Sequence, residues 1–183
     1  VLGGSGTVLG SMIVASGSQL SPGSSPGMLT TGDQTWEGGG SLLIEMDDGE
    51  AGAGTGTDLL DIFGTLSITA GELNPFEIDI TSLMEGTSTP GDASNFTGIY
   101  EHTVTPKDWV IVQTTGGITG FSADSFDLNS SEFTNEHIAK FFQVSQDGNN
   151  LLLSYVPEPG AGVLLAFGML VLGWRGKRAP RTH

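Results

Sequence analysis

Gly17-Ser18-Gln19-Leu20-Ser21-Pro22-Gly23-Ser24-Ser25-Pro26-Gly27-Met28-Leu29-Thr30 is the stretch on which the fold turns. Two short extended segments flank a turn that Pro-Gly punctuates twice. Proline fixes φ and lacks an N–H, and glycine adopts conformations other residues resist, so such a run marks a turn between strands. The surrounding sequence has the same texture. Residues 1–71 hold 17 Gly but only two aromatics, Trp36 and Phe63.

Strand signals recur on the C-terminal side of this stretch. Leu42, Ile44 and Met46 alternate with Leu43, Glu45 and Asp47; Leu66 and Ile68 with Thr65, Ser67 and Thr69; Phe76, Ile78 and Ile80 with Glu77 and Asp79. Period two predicts strands with one buried face. No stretch before residue 160 keeps a helical period for three turns; short helices are expected only near residues 81–85 and 135–142. Strands spaced by Gly-rich turns suit a solenoid of stacked circuits, and a β-sandwich has similar spacing.

Residues 104–156 read as a closing unit. Trp109-Val110-Ile111-Val112-Gln113 is a strand, and residues 116–121 give a turn and a short strand. Two further strands, over 141–145 and 151–156, flank Gln146-Asp147-Gly148-Asn149-Asn150, where Asp-Gly signals a hairpin. Such a hairpin would cover the last circuit of a solenoid, whose ends need capping.

The segment 17–30 resembles the repeat of autotransporter passenger domains, in which strand, Pro-Gly–Ser-Pro-Gly turn and strand recur along a right-handed parallel β-helix. Thr57-Asp58-Leu59-Leu60-Asp61-Ile62-Phe63-Gly64-Thr65-Leu66 resembles a second part of that repeat. The resemblance spans roughly residues 3–80 and favours the solenoid over the sandwich.

Charge divides the chain in two. Residues 1–156 hold 20 acids and two bases, Lys107 and Lys140, a net of −18; residues 157–183 carry +3, with Arg175, Lys177, Arg178 and Arg181 against Glu158. Nucleic acid is not an expected partner of so acidic a body, because phosphate binding needs clustered Lys and Arg. The absence of Cys excludes disulfides and thiolate metal sites. The opening residues, already repetitive in Gly and Ser, lead us to expect the C-terminal part of a longer protein, with any secretory signal upstream.

The basic end closes a three-part tail. Pro157-Glu158-Pro159 comes first. The apolar run 161–174 follows, with Val163, Leu164, Leu165, Phe167, Leu170, Val171, Leu172 and Trp174 as its large residues. Arg175, Lys177 and Arg178 close it. The prolines stop the preceding strand and hold an extended stretch. The run is apolar all round, so it is not an amphipathic surface helix. As a helix it spans about 21 Å at roughly 1.5 Å per residue, short of a hydrocarbon core of about 30 Å. Trp174 suits a membrane interface, with the basic residues on the cytoplasmic side.

In that order, the three parts resemble the PEP-CTERM sorting signal. The resemblance implies recognition by an exosortase, a membrane-embedded cysteine protease-transpeptidase, with Pro157, Glu158 and Pro159 as the sorting motif. It further implies residues 160–174 as a membrane anchor and Arg175 to Arg178 as the stop signal. The implied route is export, transient inner-membrane anchoring, cleavage near the motif, then release or attachment at the surface.

Other candidate sites are weaker. Ala53-Gly54-Thr55-Gly56-Thr57-Asp58-Leu59-Leu60-Asp61 nearly fits the Gly-Gly-x-Gly-x-Asp nonapeptide that binds Ca²⁺ in parallel β-rolls, making Asp58 and Asp61 weak calcium candidates, with Asp47, Asp48 and Glu50 upstream. Only one copy is present, and a plain solenoid turn explains it as well. Glu77 and Asp79 are spaced like paired carboxylates of a glycosidase, but also like any acidic strand face. His102, His137 and His183 have no metal-ligand spacing. Rows of Thr, Ser and Asn on flat faces offer hydrogen bonds to polysaccharide.

The fold expected is all-β. A parallel β-helix (solenoid)-like body occupies residues 1–103 and a closing β-hairpin cap 104–156; a single hydrophobic helix lies in the sorting signal at 157–183. The function expected is that of a non-catalytic, exported structural or adhesive protein of the cell surface or extracellular matrix. It needs no cofactor. Its partners are the exosortase transiently, the membrane through the C-terminal helix, and polysaccharide. The alternative is a secreted polysaccharide-active enzyme or carbohydrate-binding β-domain.

Overall fold

A computed structural model describes residues 1–96, 107–135 and 142–155. These residues form an all-β structure with parallel sheets and, among them, no α-helix. The chain visits three sheets in rotation. β1 (Leu2–Gly4), β2 (Gly6–Val8) and β3 (Met12–Val14) make a first circuit; β4 (Gln19–Pro22), β5 (Met28–Thr31) and β6 (Gln34–Trp36) a second. β7 (Ser41–Met46), β8 (Leu59–Ile62) and β9 (Thr65–Ile68) follow, then β10 (Phe76–Ser82), β11 (Lys107–Thr114) and β12 (Gly117–Thr119).

The first sheet runs β1-β4-β7-β10 and ends on β13 (Phe126–Glu132); the third runs β3-β6-β9-β12. The second runs β2-β5-β8-β11 and then takes in β15 (Asn150–Tyr155) and β14 (Phe142–Asp147). Every pairing in the first and third sheets is parallel, as are those from β2 to β11 in the second.

Register stacks like on like. Leu20 lies beside Leu42 and Leu42 beside Ile78; Leu29 lies beside Leu60 and Leu60 beside Val112. All six are buried, because alternation sends every second side chain of each strand to one interior. β7 and β10 keep that alternation along their whole lengths, as the sequence predicts. It also corrects the helix expected near 81–85. Thr81 and Ser82 finish β10, with Ser82 facing inward, and Leu83 to Thr87 make a turn in which Thr87 N–H donates to the Met84 carbonyl. The expected helix over 135–142 falls largely outside the described residues.

The three corners differ. The second-to-third-sheet corner stays tight: Gly32-Asp33, Phe63-Gly64 and Thr115-Gly116 are its whole content in successive circuits. The first-to-second corner grows, from 23–27 to 47–58. Aromatic side chains fill the interior in two groups. Trp36 stacks flat on Phe76 at 4.3 Å, with Phe126 edge-on to both. Phe96, Trp109, Phe133 and Phe142 pack together below the enlarged corner.

The expected hairpin is present, turning at Gly148-Asn149 with Gly148 at φ +56. Gly leads this two-residue turn, so the turn is centred one residue beyond the Asp-Gly pair that signals it. The hairpin extends the second sheet: β15 pairs antiparallel with β11 and leaves β14 at the edge.

Candidate functional site

The two weak calcium candidates lie on different sides of the sheet. Asp58, just ahead of β8, is fully buried. One carboxylate oxygen accepts Gly27 N–H at 2.7 Å and the other accepts Glu45 N–H at 2.9 Å. The carboxyl thus ties the turn of the second circuit to a strand of the third. Burial pushes its pKa up to about 8; the two N–H donors oppose the shift, and nearby Glu45 and Asp47 add to it. Asp61 points outward from β8. It accepts Gln113 Nε2 at 3.0 Å and Thr30 Oγ1 at 3.4 Å, forming a polar row across β5, β8 and β11.

The acids upstream are engaged locally. Asp47 accepts Gly86 N–H at 3.0 Å. Asp48 accepts Asn95 Nδ2 and the N–H groups of Glu50 and Ala51, and those bonds, Asn95's first, hold its carboxyl below the usual range. Glu50 pairs with Lys107 at 2.6 Å. Among the described residues no group of three or more His, Cys, Asp or Glu is arranged to hold a metal ion.

Glu77 and Asp79 sit side by side on the outer face of β10. The Asn129 amide bridges them, donating to Asp79 at 2.9 Å and to Glu77 at 3.3 Å, while Gln19 reaches across β7 to Asp79 at 3.1 Å. Partial burial, then the charge of Asp79, raises the Glu77 carboxyl. The sequence reading missed Asn129 and Gln113 as partners of these acids. Register is the signal that finds them: Asn129 lies opposite Asp79, and Gln113 opposite Asp61.

The expected sorting motif Pro157, Glu158 and Pro159, the anchor from Val163 to Trp174, and the basic residues Arg175, Lys177 and Arg178 lie outside the described residues. So do His102, His137 and His183. What the structure does place is the point of departure. Tyr155 ends β15, buried and flanked by Lys107 of β11 and Phe142 of β14. Among the described residues no helix is long and apolar enough to cross a membrane.

Residues 156–178 match the PEP-CTERM protein-sorting motif. The PEP-CTERM match begins at the residue after β15 and takes in the prolines, the apolar run and the basic cluster. It implies recognition by an exosortase and a secreted, membrane-transiting protein. The passenger-like resemblance of the body is not confirmed by any family match. No curated protein and no solved structure matches the chain.

Proposed function

We propose that this chain is a non-catalytic structural or adhesive protein of the cell surface or extracellular matrix. On this reading its body is a short three-sided parallel β-solenoid, delivered by the PEP-CTERM tail and processed by an exosortase. The observation that carries the reading is the motif match at 156–178, which begins where the last strand of the body ends.

The body supports a scaffolding role. Its interior is filled by rows of Leu, Ile and Val and by two aromatic groups, and its outer faces carry polar side chains in register, such as Thr35 beside Ser67 and Asp61 beside Gln113. Polar groups in register present repeated hydrogen-bonding positions to an extended polymer, which favours polysaccharide as the eventual contact. The paired carboxylates Glu77 and Asp79 favour the second reading, a polysaccharide-active enzyme. Against it, their oxygens are engaged by Asn129 and Gln19, and the one Lys or Arg among the described residues, Lys107, is paired with Glu50. On the main reading the apolar run 160–174 is a transient anchor and the basic cluster its stop signal.

Mass spectrometry of the mature protein from native cells tests this directly. The expected product lacks everything beyond about residue 159. A mature chain that keeps Arg181-Thr182-His183 rejects exosortase processing.

A further inference from the structure

The two ends of the β body are built differently. At the far end the first sheet stops on β13, which carries Asp127 and Glu132, and the second stops on β14, which runs antiparallel and carries Asp147. Charged edge strands and a reversed strand discourage further pairing. At the near end all three sheets stop on strands of one circuit, β1, β2 and β3, each paired on one side only. Residues 1–32 contain no Asp, Glu, Lys or Arg, in a chain with 21 acids.

This end also exposes what later circuits bury. Register places Leu2 above Leu20, Val8 above Thr31 and Val14 above Trp36, all on the inward side. Leu20, Thr31 and Trp36 are at most 2% exposed, whereas Leu2 is 39% and Val8 36% exposed; Val14, at 2%, is already covered. Five of the nine exposed large apolar residues in the described chain, Val1, Leu2, Val8, Leu9 and Ile13, belong to this circuit. Leu2, Met12, Val14 and Leu20 line a groove opening onto the same end. The corner is finished as an interior corner is: the carbonyl of Gly10 lies where a Cβ on Gly32 would be, at 2.5 Å, as Gly64 lies against Gly116.

We propose that the end formed by β1, β2 and β3 is an interface whose occupant is a further circuit of the same construction, its strands running parallel to these three. The contacts between the first and second circuits define that occupant. It offers three parallel edges in register and sets uncharged inward side chains over the exposed Leu2 and Val8 and over Val14. A second copy of the chain fits worse. At its far end β13 is charged and β14 is charged and reversed, leaving only the uncharged three-residue β12 as an open parallel edge, and its near end, turned to face this one, would present every strand antiparallel. Burying three open edges at once satisfies their backbone donors and acceptors, which a single added strand cannot do.

Register supplies the test. Gln19 pairs with Ser41 and Leu2 with Leu20, so Val1 stands to Gln19 as Ser41 does. A copy of residues 19–40 fused ahead of Val1 therefore continues the coil without a shift. The fusion should raise Tm and slow amide exchange in β1, β2 and β3 to the rates of β5 and β6. Val8→Lys should lower Tm more in the fusion, where position 8 becomes interior, than in the unfused chain. Unchanged exchange at β1 to β3, or an equal Val8→Lys effect in both contexts, overturns the proposal. Amide exchange on the full native polypeptide from its source cells keeps the question open to refutation if the fusion does not fold. Protected β1 to β3 amides in a monomer support a parallel circuit. Fast exchange there, or protection seen only in a dimer by light scattering, overturns it.

Discussion

Asp58 shows how one side chain can stabilise a fold and make it pH-sensitive at once. Its folded pKa of about 8 lies above the ordinary aspartate value of 3.8, so between those values the folded state binds more protons than the unfolded one. Its contribution to stability is therefore fully present below about pH 4 and is lost as pH rises towards about 8. Urea denaturation at pH 5 and pH 8 should show greater stability at pH 5. Asp58→Asn should flatten that difference, separating it from the general repulsion among the other acids. The amide oxygen can accept from Gly27 or from Glu45 but not both, so the variant should also lose about 1–3 kcal/mol from the unsatisfied N–H. Gly32 makes a second residue-scale test. A Cβ there meets the Gly10 carbonyl oxygen at 2.5 Å, so Gly32→Ala should cost roughly 1–3 kcal/mol by overpacking, read as a lower urea midpoint. Neither role was legible in the sequence. Asp58 looked like part of a calcium loop because its neighbours are Gly, Thr and Asp, and only burial reveals that both its oxygens face backbone amides.

At the scale of elements, the strands that alternate cleanly were the ones the sequence disclosed. β7, β9 and β10 follow the Leu42–Ile44–Met46, Leu66–Ile68 and Phe76–Ile78–Ile80 patterns. β10 runs on to Ser82 because a serine can occupy an interior position once Thr134 satisfies it: Ser82 Oγ lies 3.2 Å from the Thr134 hydroxyl and accepts the Thr134 N–H at 2.8 Å. A polar residue at a core position breaks the apolar signal, so the strand seemed to end early. Trp36 links elements in the same way. It closes β6, stacks on Phe76 of β10, and donates its indole N–H to Gln34, which donates in turn to Thr31. Trp36→Ala should cost about 3–5 kcal/mol, seen as a fall in the urea midpoint with little change in slope. The Phe96, Trp109, Phe133 and Phe142 group was invisible to local pattern, since its members come from β11, β14 and two loops far apart in sequence.

At the scale of the molecule, charge and hydrophobic burial are in tension. A net of −18 over residues 1–156 repels itself in the compact state. Raising salt from about 0.01 M to about 0.15 M shortens the screening length from about 30 Å to about 8 Å, so Tm of the body should rise over that range. A flat or falling Tm would mean that hydrogen bonds such as Asn129 to Asp79 already offset the repulsion. The acidic surface and the basic tail were both plain in the sequence. The way three sheets share one interior was not, because parallel pairing joins residues whose separations grow from 18 to 50: Leu2 with Leu20, Leu42 with Ile78, Phe76 with Phe126.

Tyr155 is hemmed in on both flanks, and the sorting match opens with its immediate neighbour. Two residues of chain reach at most about 7 Å, so Pro157 can never stray farther than that from a completed β-sheet. Any enzyme that grips the proline pair must accommodate the folded cargo at the rim of its own cleft, or wait for the final rungs of β15 to come undone.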